Sequence, residues 1–98
     1  MGFGADGGTV CNTGQITVTT AAQLVLAANA TQSRVSLTVT NASTVASPIS
    51  MYVGASGVTA ATGHAIPPAT SWTTTYRGPL YVIASAGGTL TYFEEVNA

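Results

Sequence analysis

The side chains that could do acid–base or metal chemistry are few and widely spaced in this sequence. The chain has one histidine and three carboxylates. His64 follows Gly63 in a predicted loop, whereas a catalytic histidine needs a nucleophile or carboxylate nearby and a metal site needs several ligands. Asp6, Glu94 and Glu95 are too scattered to complete either arrangement. The sequence therefore predicts no catalytic residue, no metal and no cofactor, and it predicts an ordinary polar role for His64.

The remaining reactive or charged side chains have equally plain interpretations. Cys11 has no basic neighbour and no cysteine partner, so we expect a small buried apolar residue and no internal disulfide. Glu94 and Glu95 have two interpretations. They either pair with Arg34 or Arg77 on another strand or subunit, where they could fix register, or they form a solvated C-terminal pair. Exposed ion pairs stabilise a fold by only ~0–1 kcal/mol.

Charged residues make up only 5% of the chain, and the formal net charge is −1. Typical soluble domains carry roughly 25% charged residues. A free monomer normally stays soluble through a charged surface, while interface cores are depleted of charge. The composition therefore favours obligate assembly over a small neutral domain that is soluble alone. Two basic residues cannot neutralise the phosphates that DNA binding requires, so no nucleic-acid partner is expected.

Length and hydropathy indicate one domain. A chain of 98 residues can bury about 65% of its unfolded surface and fold without a disulfide. It opens on no basic and apolar leader, and no apolar run approaches the ~20 residues of a membrane span. We expect synthesis and folding in a cytoplasm, with no membrane partner.

The chain divides into a Gly-rich N-terminal arm, residues 1–14, and a β-sandwich domain, residues 15–98. The arm, MGFGADGGTVCNTG, has no periodicity. We expect it to lie on a neighbouring subunit, anchored by Phe3, Val10 and Cys11. An arm folded back on its own domain is the alternative.

From residue 15 onward the sequence alternates with the period of β-strands. In residues 33–41 we expect Val35, Leu37 and Val39 to point inward and Arg34 to point outward. Residues 87–88, Gly-Gly, are predicted to form a hairpin turn between the last two strands. Seven or eight short strands with regular turn residues and no helix predict an all-β fold, an antiparallel β-sandwich or small barrel.

Residues 48–68, PISMYVGASGVTAATGHAIPP, contain the clearest strand–loop–strand pattern. Apolar Ile49, Met51 and Val53 alternate with Ser50, Tyr52 and Gly54, the period of a strand with one buried face. We expect Gly54, Gly57 and Gly63 to supply positive φ angles in the loop. The loop from Ala55 to His64 is predicted to touch another subunit.

The aromatic residues are concentrated in the last third of the chain. They serve either a core or a contact patch, and a core is the default. A sugar-binding platform would need exposed aromatics beside amides and carboxylates, and the latter are few here. The set comprises Trp72, Tyr76, Tyr81, Tyr92 and Phe93.

Several turn-and-strand motifs follow one another along the chain. They are VSLTVTNAS, then Pro-x-x-x-Tyr-Val-Gly-x-Ser-Gly-Val-Thr-x-x-Thr-Gly and Ile-Pro-Pro, then GPLYVIA followed by GGTLTY and a Glu-Glu pair. Together these motifs resemble small virion proteins of tailed bacteriophages. The resemblance covers residues 23–95 and leaves the arm outside. It implies a non-enzymatic β-sandwich module on the virion, and a short chain of this kind looks most like a capsid decoration (cement) protein.

The resemblance implies a protein on the capsid exterior, made in the host bacterial cytoplasm, with the major capsid protein and further copies of itself as partners, a trimer being favoured. The alternatives are a tail, neck or fibre component of the virion, and a host-surface glycan-binding module. The residues predicted to contact subunits or capsid are Phe3, Val10, Arg34, Val58, His64, Arg77, Glu94 and Glu95.

Overall fold

The computed structural model describes residues 9–27 and 34–97, all of them strands, turns or loops. The strands are β1 Thr9–Val18, β2 Gln23–Leu26, β3 Arg34–Asn41, β4 Met51–Gly54, β5 His64–Ile66, β6 Ser71–Thr74, β7 Leu80–Ala84 and β8 Gly88–Asn97. No helix in these two ranges is long and apolar enough to cross a membrane. The predicted all-β class is confirmed.

The strands form two antiparallel four-stranded sheets. One sheet, sheet A, has the order β1-β8-β3-β6, and the other, sheet B, has the order β2-β7-β4-β5. The first strand pairs with the last, β2 with β7, β3 with β6, and β4 with β5. This nested pairing is the arrangement of an eight-stranded jelly roll, a form of β-sandwich.

Only β4 and β5 are both consecutive and paired among the described strands. They carry the register Met51↔Ile66 to Val53↔His64, so the strand–loop–strand pattern predicted in residues 48–68 is a hairpin. The predicted hairpin at Gly87–Gly88 is wrong. There β7 belongs to sheet B and β8 to sheet A, so this turn carries the chain from one sheet to the other.

The core lies between the two sheets and is built from inward-facing residues of every strand except β6. Its members are Val18, Val25, Leu37, Val39, Met51, Val53, Ile66, Leu80, Val82, Ala84 and Leu90. Full burial of a valine or leucine side chain contributes about 1.5–3 kcal/mol. Ile49, Trp72 and Tyr92 pack against this cluster while remaining partly exposed, which bears out a core role for two of the aromatic residues.

A register irregularity in β3 reverses the facing predicted for its first two residues. The pairing with β8 shifts between Arg34 and Ser36. An extra residue in a strand turns its neighbours to the opposite faces. Arg34 is consequently 1% exposed, whereas Val35 is 38% exposed. The prediction that Arg34 points outward and Val35 inward is wrong, while Leu37 and Val39 are buried as expected.

The N-terminal strand begins earlier than predicted. Residues 9–14, assigned to the arm from their glycines and lack of periodicity, form the first part of β1 and pair with β8 of the same chain. Tyr92 packs directly against Gly14. A Cβ atom at this position would lie 2.6 Å from the tyrosine hydroxyl oxygen, so the close contact requires a residue without a side chain. Residues 1–8, including Phe3, lie outside the described residues.

The hairpin loop needs its glycines for two different reasons. Gly57 has a φ of 84°, as predicted, a conformation that glycine adopts at little cost. Gly54 and Gly63 do not have the positive φ that was predicted. A Cβ on Gly63 would lie 2.7 Å from the Tyr52 Cβ and 2.8 Å from the Val58 Cγ2, so close packing requires this glycine.

The strand registers define two flanks and two ends of the sandwich. The β1 flank carries edge strands β1 and β2, and the β6 flank carries edge strands β5 and β6. Pairings such as Thr9↔Asn97 and Leu37↔Thr74 place the start of β1 at the same end as the loop after β6. We call it the Thr9 end. The loop end of the β4–β5 hairpin and the start of β7 lie there too.

Candidate assembly surfaces

Sheet A has one long edge strand without any charged residue. β1 contains ten residues, TVCNTGQITV, with no Asp, Glu, Lys, Arg or Pro. Natural proteins usually protect exposed edges with charges, proline, bulges or short length, because unpaired N–H and C=O groups bind further strands. The other edge strands, β2, β5 and β6, also lack charge but have only three or four residues each. β1 is therefore the edge with the greatest capacity to pair with another strand.

The charges in the described part of the chain lie away from these edges. Arg34 is in β3, Glu94 and Glu95 are in β8, and Arg77 is in the loop between β6 and β7. Both strands are central in sheet A. The few charged residues of this part of the chain therefore lie on the two central strands of sheet A and in one loop. The edge strands carry none.

Arg34 and Glu94 form a buried ion pair within one chain. The Arg34 Nε donates to the Glu94 Oε2 at 2.8 Å, and the Asn12 Nδ2 donates to the other carboxylate oxygen at 3.1 Å. Both charged residues are nearly inaccessible, at 1% and 4% exposure. The predicted pairing of Glu94 with Arg34 is confirmed, but it joins neighbouring strands of one protomer rather than two subunits.

The Arg34 guanidinium also organises the Thr9 end. Its Nη1 donates to the carbonyl oxygens of Tyr76 at 3.1 Å and Gly78 at 2.9 Å, and its Nη2 donates to that of Ala27 at 2.9 Å. The arginine thus fixes the loop after β6 and Ala27, the residue that directly follows β2. A buried arginine needs this many acceptors, since an unpaired buried donor costs about 1–3 kcal/mol.

A cleft of about 370 Å³ opens on the β6 flank at the Thr9 end. Val53 and Leu80 form its apolar floor, and His64, Trp72 and Tyr76 contribute rings to its sides. The His64 and Trp72 rings lie 4.8 Å apart between centroids and are tilted by 33°. His64 is therefore a packing partner at the start of β5, and the cleft has an aromatic character that the sequence did not locate.

The outer face of sheet A presents the large apolar side chain of Phe93 among hydroxyl groups. Phe93 is 44% exposed and lies in register with Thr13 on one side and Thr38 on the other. Thr38 in turn shares a 2.8 Å hydrogen bond with Thr73. Phe93 and Tyr76 are thus available for contact, whereas a core position was the default prediction for all the aromatics.

The residues predicted as contacts divide into two groups. Val10, His64 and Arg77 are exposed and remain available for contact. Arg34, Val58 and Glu94 are buried, the valine beneath Gly54 and Gly63, so these three side chains are occupied within the protomer. Their burial leaves little side-chain surface for the predicted contact. Isolated charges and loop valines give no indication of burial in the sequence.

Glu95, Phe3 and Cys11 complete the account of the predicted residues. Glu95 accepts a hydrogen bond from the Ser36 hydroxyl at 3.2 Å, and Phe3 lies outside the described residues. Cys11 is exposed on β1, so the prediction of a buried cysteine is wrong. It lies opposite Glu95, whose neighbour Glu94 has its side chain directed into the core.

Asn41 is a structural residue that the sequence analysis missed. Its buried amide donates to the carbonyl oxygens of Ile49 at 2.7 Å and Ile66 at 2.8 Å, and its Oδ1 accepts from the Ser43 N–H at 3.0 Å. An asparagine at the end of an apolar strand, followed by a Ser/Thr loop, was the available indication.

Within residues 9–27 and 34–97, no three His, Cys, Asp or Glu side chains group as metal ligands.

Comparison with known proteins identifies the fold and no family. No protein-family profile matches the sequence, and no curated protein matches it significantly. Among solved structures, a chain from Bacillus endospore appendages, described as a novel family of disulfide-linked pili, is similar over 93% of this chain and 89% of its own. The TM-score is 0.55 and the identity 19%. At this identity the match shows that the two chains share a β-sandwich fold. It lends no support to the narrower resemblance to phage decoration proteins.

Proposed function

We propose that this protein is a non-enzymatic structural subunit that assembles with copies of itself into a polymer. The uncharged ten-residue edge of β1 carries the proposal, because an unprotected edge of this length binds a further strand by main-chain hydrogen bonds. The fold shared with a pilus chain supports the same role. The 5% charge content fits a surface that is covered in the assembled state.

The contact we propose joins the β1 flank of one copy to the β6 flank of the next. The two flanks are different surfaces, so the contact is heterologous, and a heterologous contact that does not close into a ring makes an open polymer. Both flanks end in uncharged strands. The same contact gives a closed trimer, the state that the resemblance to decoration proteins implied, if the rotation between successive copies returns to the first copy after three.

The pili of the similar chain are described as disulfide-linked, and we propose that this protein differs in that respect. This chain has one cysteine, and a single thiol can join two chains only as a pair. A covalently continuous polymer needs at least two linked cysteines in each subunit. We therefore propose that non-covalent strand pairing holds the polymer together and that the exposed Cys11 is dispensable for its continuity.

The location of the polymer is a separate proposal with two candidates. The fold neighbour favours a cell or spore appendage, and the sequence motifs favour a virion, as a decoration protein on the capsid exterior or as a tail or fibre component. A decoration protein needs the major capsid protein as partner, whereas an appendage subunit polymerises alone. Assembly of the purified protein without other components supports the appendage.

The experiment compares the wild type with an edge variant. Gln15→Lys combined with Thr17→Lys places two charges at exposed positions of β1, which is how natural proteins block edge pairing. Val45→Lys combined with Ser47→Lys, at two exposed loop positions, is the matched control for two added charges. Sedimentation velocity and negative-stain electron microscopy measure the assembly, and circular dichroism checks that each variant keeps its β-structure.

We expect polymers from the wild type and the loop control variant and single chains from the edge variant. A wild type that remains a single chain at every concentration would refute the self-assembly. Polymers from the edge variant, as abundant as those of the wild type, would refute the role of β1.

A further inference from the structure

The aromatic cleft on the β6 flank has an apolar floor that no described residue covers. Val53 and Leu80 line its base, and Trp72 is half-buried at its side. Tyr76 stands at the rim with 42% of its surface exposed, and its hydroxyl donates to the Pro79 carbonyl oxygen at 3.2 Å. A cleft of about 370 Å³ falls in the size range that binds ligands and side chains, roughly 300–1,000 Å³.

We infer that this cleft receives Phe3 from the N-terminal segment of a neighbouring copy. The segment, MGFGADGG, is residues 1–8, and Phe3 is its single aromatic residue. A buried phenylalanine contributes about 150–250 Å² of contact and is a typical interface anchor. Glycines on both sides of Phe3 allow the backbone to approach the cleft closely.

Charge complementarity supports the same occupant. Asp6 is the one charged side chain in the segment, and Arg77 is an exposed cation that directly follows the lining residue Tyr76 in sequence. Arg34, the other arginine of the chain, is already committed to Glu94 and three carbonyl oxygens. An aspartate three residues after the docked phenylalanine is within about 10 Å of it.

The place where the described chain begins favours a neighbouring copy as the source. Thr9 lies at the same end of the sandwich as the cleft but on the opposite flank. Three strand spacings separate β1 from β6, about 14 Å, and the six residues from Thr9 back to Phe3 reach at most about 20 Å. Docking within one chain would stretch the segment to about 70% of this reach and take it across the loop held by Arg34.

Docking between copies needs no such crossing. The inference rests here on the proposed function, in which the β1 flank of one copy lies beside the β6 flank of the next. That contact brings the segment that precedes β1 directly to the neighbour's cleft. Each copy then gives one segment and receives one, which is a head-to-tail contact that repeats along a polymer.

A photo-cross-linking experiment tests the docking. Benzoyl-phenylalanine replaces Phe3 in the full chain, and unlabelled and nitrogen-15-labelled protein are mixed in equal amounts before assembly and irradiation. Mass spectrometry then locates each cross-link and identifies its two chains by isotope. We expect cross-links to peptides containing His64, Trp72 or Tyr76, with mixed-isotope pairs as frequent as same-isotope pairs.

Two matched variants test the cleft itself. Ala55 lines the cleft, while Ser56, the next residue, does not, and both are exposed. Ala55→Arg fills the cleft and should lower the cross-link yield about tenfold, whereas Ser56→Arg should leave it unchanged. Phe3→Ala should raise the concentration needed for half-assembly by about tenfold, and Phe3→Leu should restore most of the loss.

The outcomes separate this inference from the proposed function. Polymers whose cross-links join residues of one chain only, or map outside the cleft, would overturn the inference and leave the self-assembly intact. Equal yields from the Ala55 and Ser56 variants would overturn it as well. A wild type that forms no polymer at all would overturn the proposed function, and the inference would fall with it.

Discussion

Replacing Glu94 by glutamine removes one negative charge from a buried site and changes little else. The two side chains have nearly the same shape, and the Asn12 amide can turn to meet the new amide group. Arg34 would then be a cation at 1% exposure without its anionic partner. Its Nη1 and Nη2 bonds to three carbonyl oxygens would remain.

The expected cost follows from this burial. Removing one partner of a buried ion pair typically destabilises a protein by about 3–5 kcal/mol, because the remaining charge is uncompensated in a low-dielectric interior. The three retained carbonyl contacts stabilise the arginine, so we expect a loss near the lower end, about 3 kcal/mol. A domain of this size is stable by only about 5–15 kcal/mol, and the variant should therefore fold with a greatly reduced margin.

Urea unfolding provides the measurement, with the fluorescence of the single tryptophan, Trp72, as the probe. With an m-value of about 1–3 kcal/mol/M, a loss of about 3 kcal/mol lowers the midpoint by roughly 1–3 M. The protein is measured at a concentration at which sedimentation shows single chains, because assembly adds apparent stability. Arg77→Gln, which removes an exposed cation, is the control and should change stability by less than about 0.5 kcal/mol.

A Glu94→Gln variant within about 1 kcal/mol of the wild type would contradict this reasoning. It would mean that the carbonyl contacts alone satisfy the arginine. An equal loss in the Arg77 control would show instead that the loss is not specific to the buried pair.

Three further substitutions test other parts of the fold. Gly63→Ala should destabilise by about 1–3 kcal/mol, since its Cβ would overlap Tyr52; Gly87→Ala, whose nearest atom is 3.9 Å away, should have a much smaller effect in the same urea assay. Asn41→Ala removes the amide donor to the Ile49 and Ile66 carbonyl oxygens, of which the first keeps only a 3.3 Å bond from the Ser43 hydroxyl. It should cost about 2–4 kcal/mol by thermal unfolding, and a smaller cost than that of the Gly87 control would contradict its structural role. Cys11→Ser, at an exposed position, should change unfolding by less than about 0.5 kcal/mol and leave polymer length in electron micrographs unchanged; shortened polymers would show that the thiol links subunits.

The alternation of buried and exposed side chains along each strand could be predicted from the sequence, because it depends only on residues that are close together in the chain. Met51 and Val53 are buried and Ser50 is exposed, as the strand period requires. The all-β class, the hairpin in residues 48–68 and the scarcity of charge likewise follow from composition and local pattern. The same information suggested that Arg34 points outward, because a bulge leaves the pattern of residue types unchanged.

The sequence by itself determined that this chain forms short strands with one buried face, and that its surface carries few charges. The tertiary structure decided which strands are neighbours, because in a jelly roll the partners are distant in sequence, as in Thr9↔Asn97, and alternation encodes faces but no partners. It also decided that Arg34 and Glu94 meet in the interior and that His64 and Trp72 enclose one cleft. Arg34 and Glu94 meet because β3 and β8 pair within sheet A, whereas His64 on β5 and Trp72 on β6 meet only when the two sheets stack.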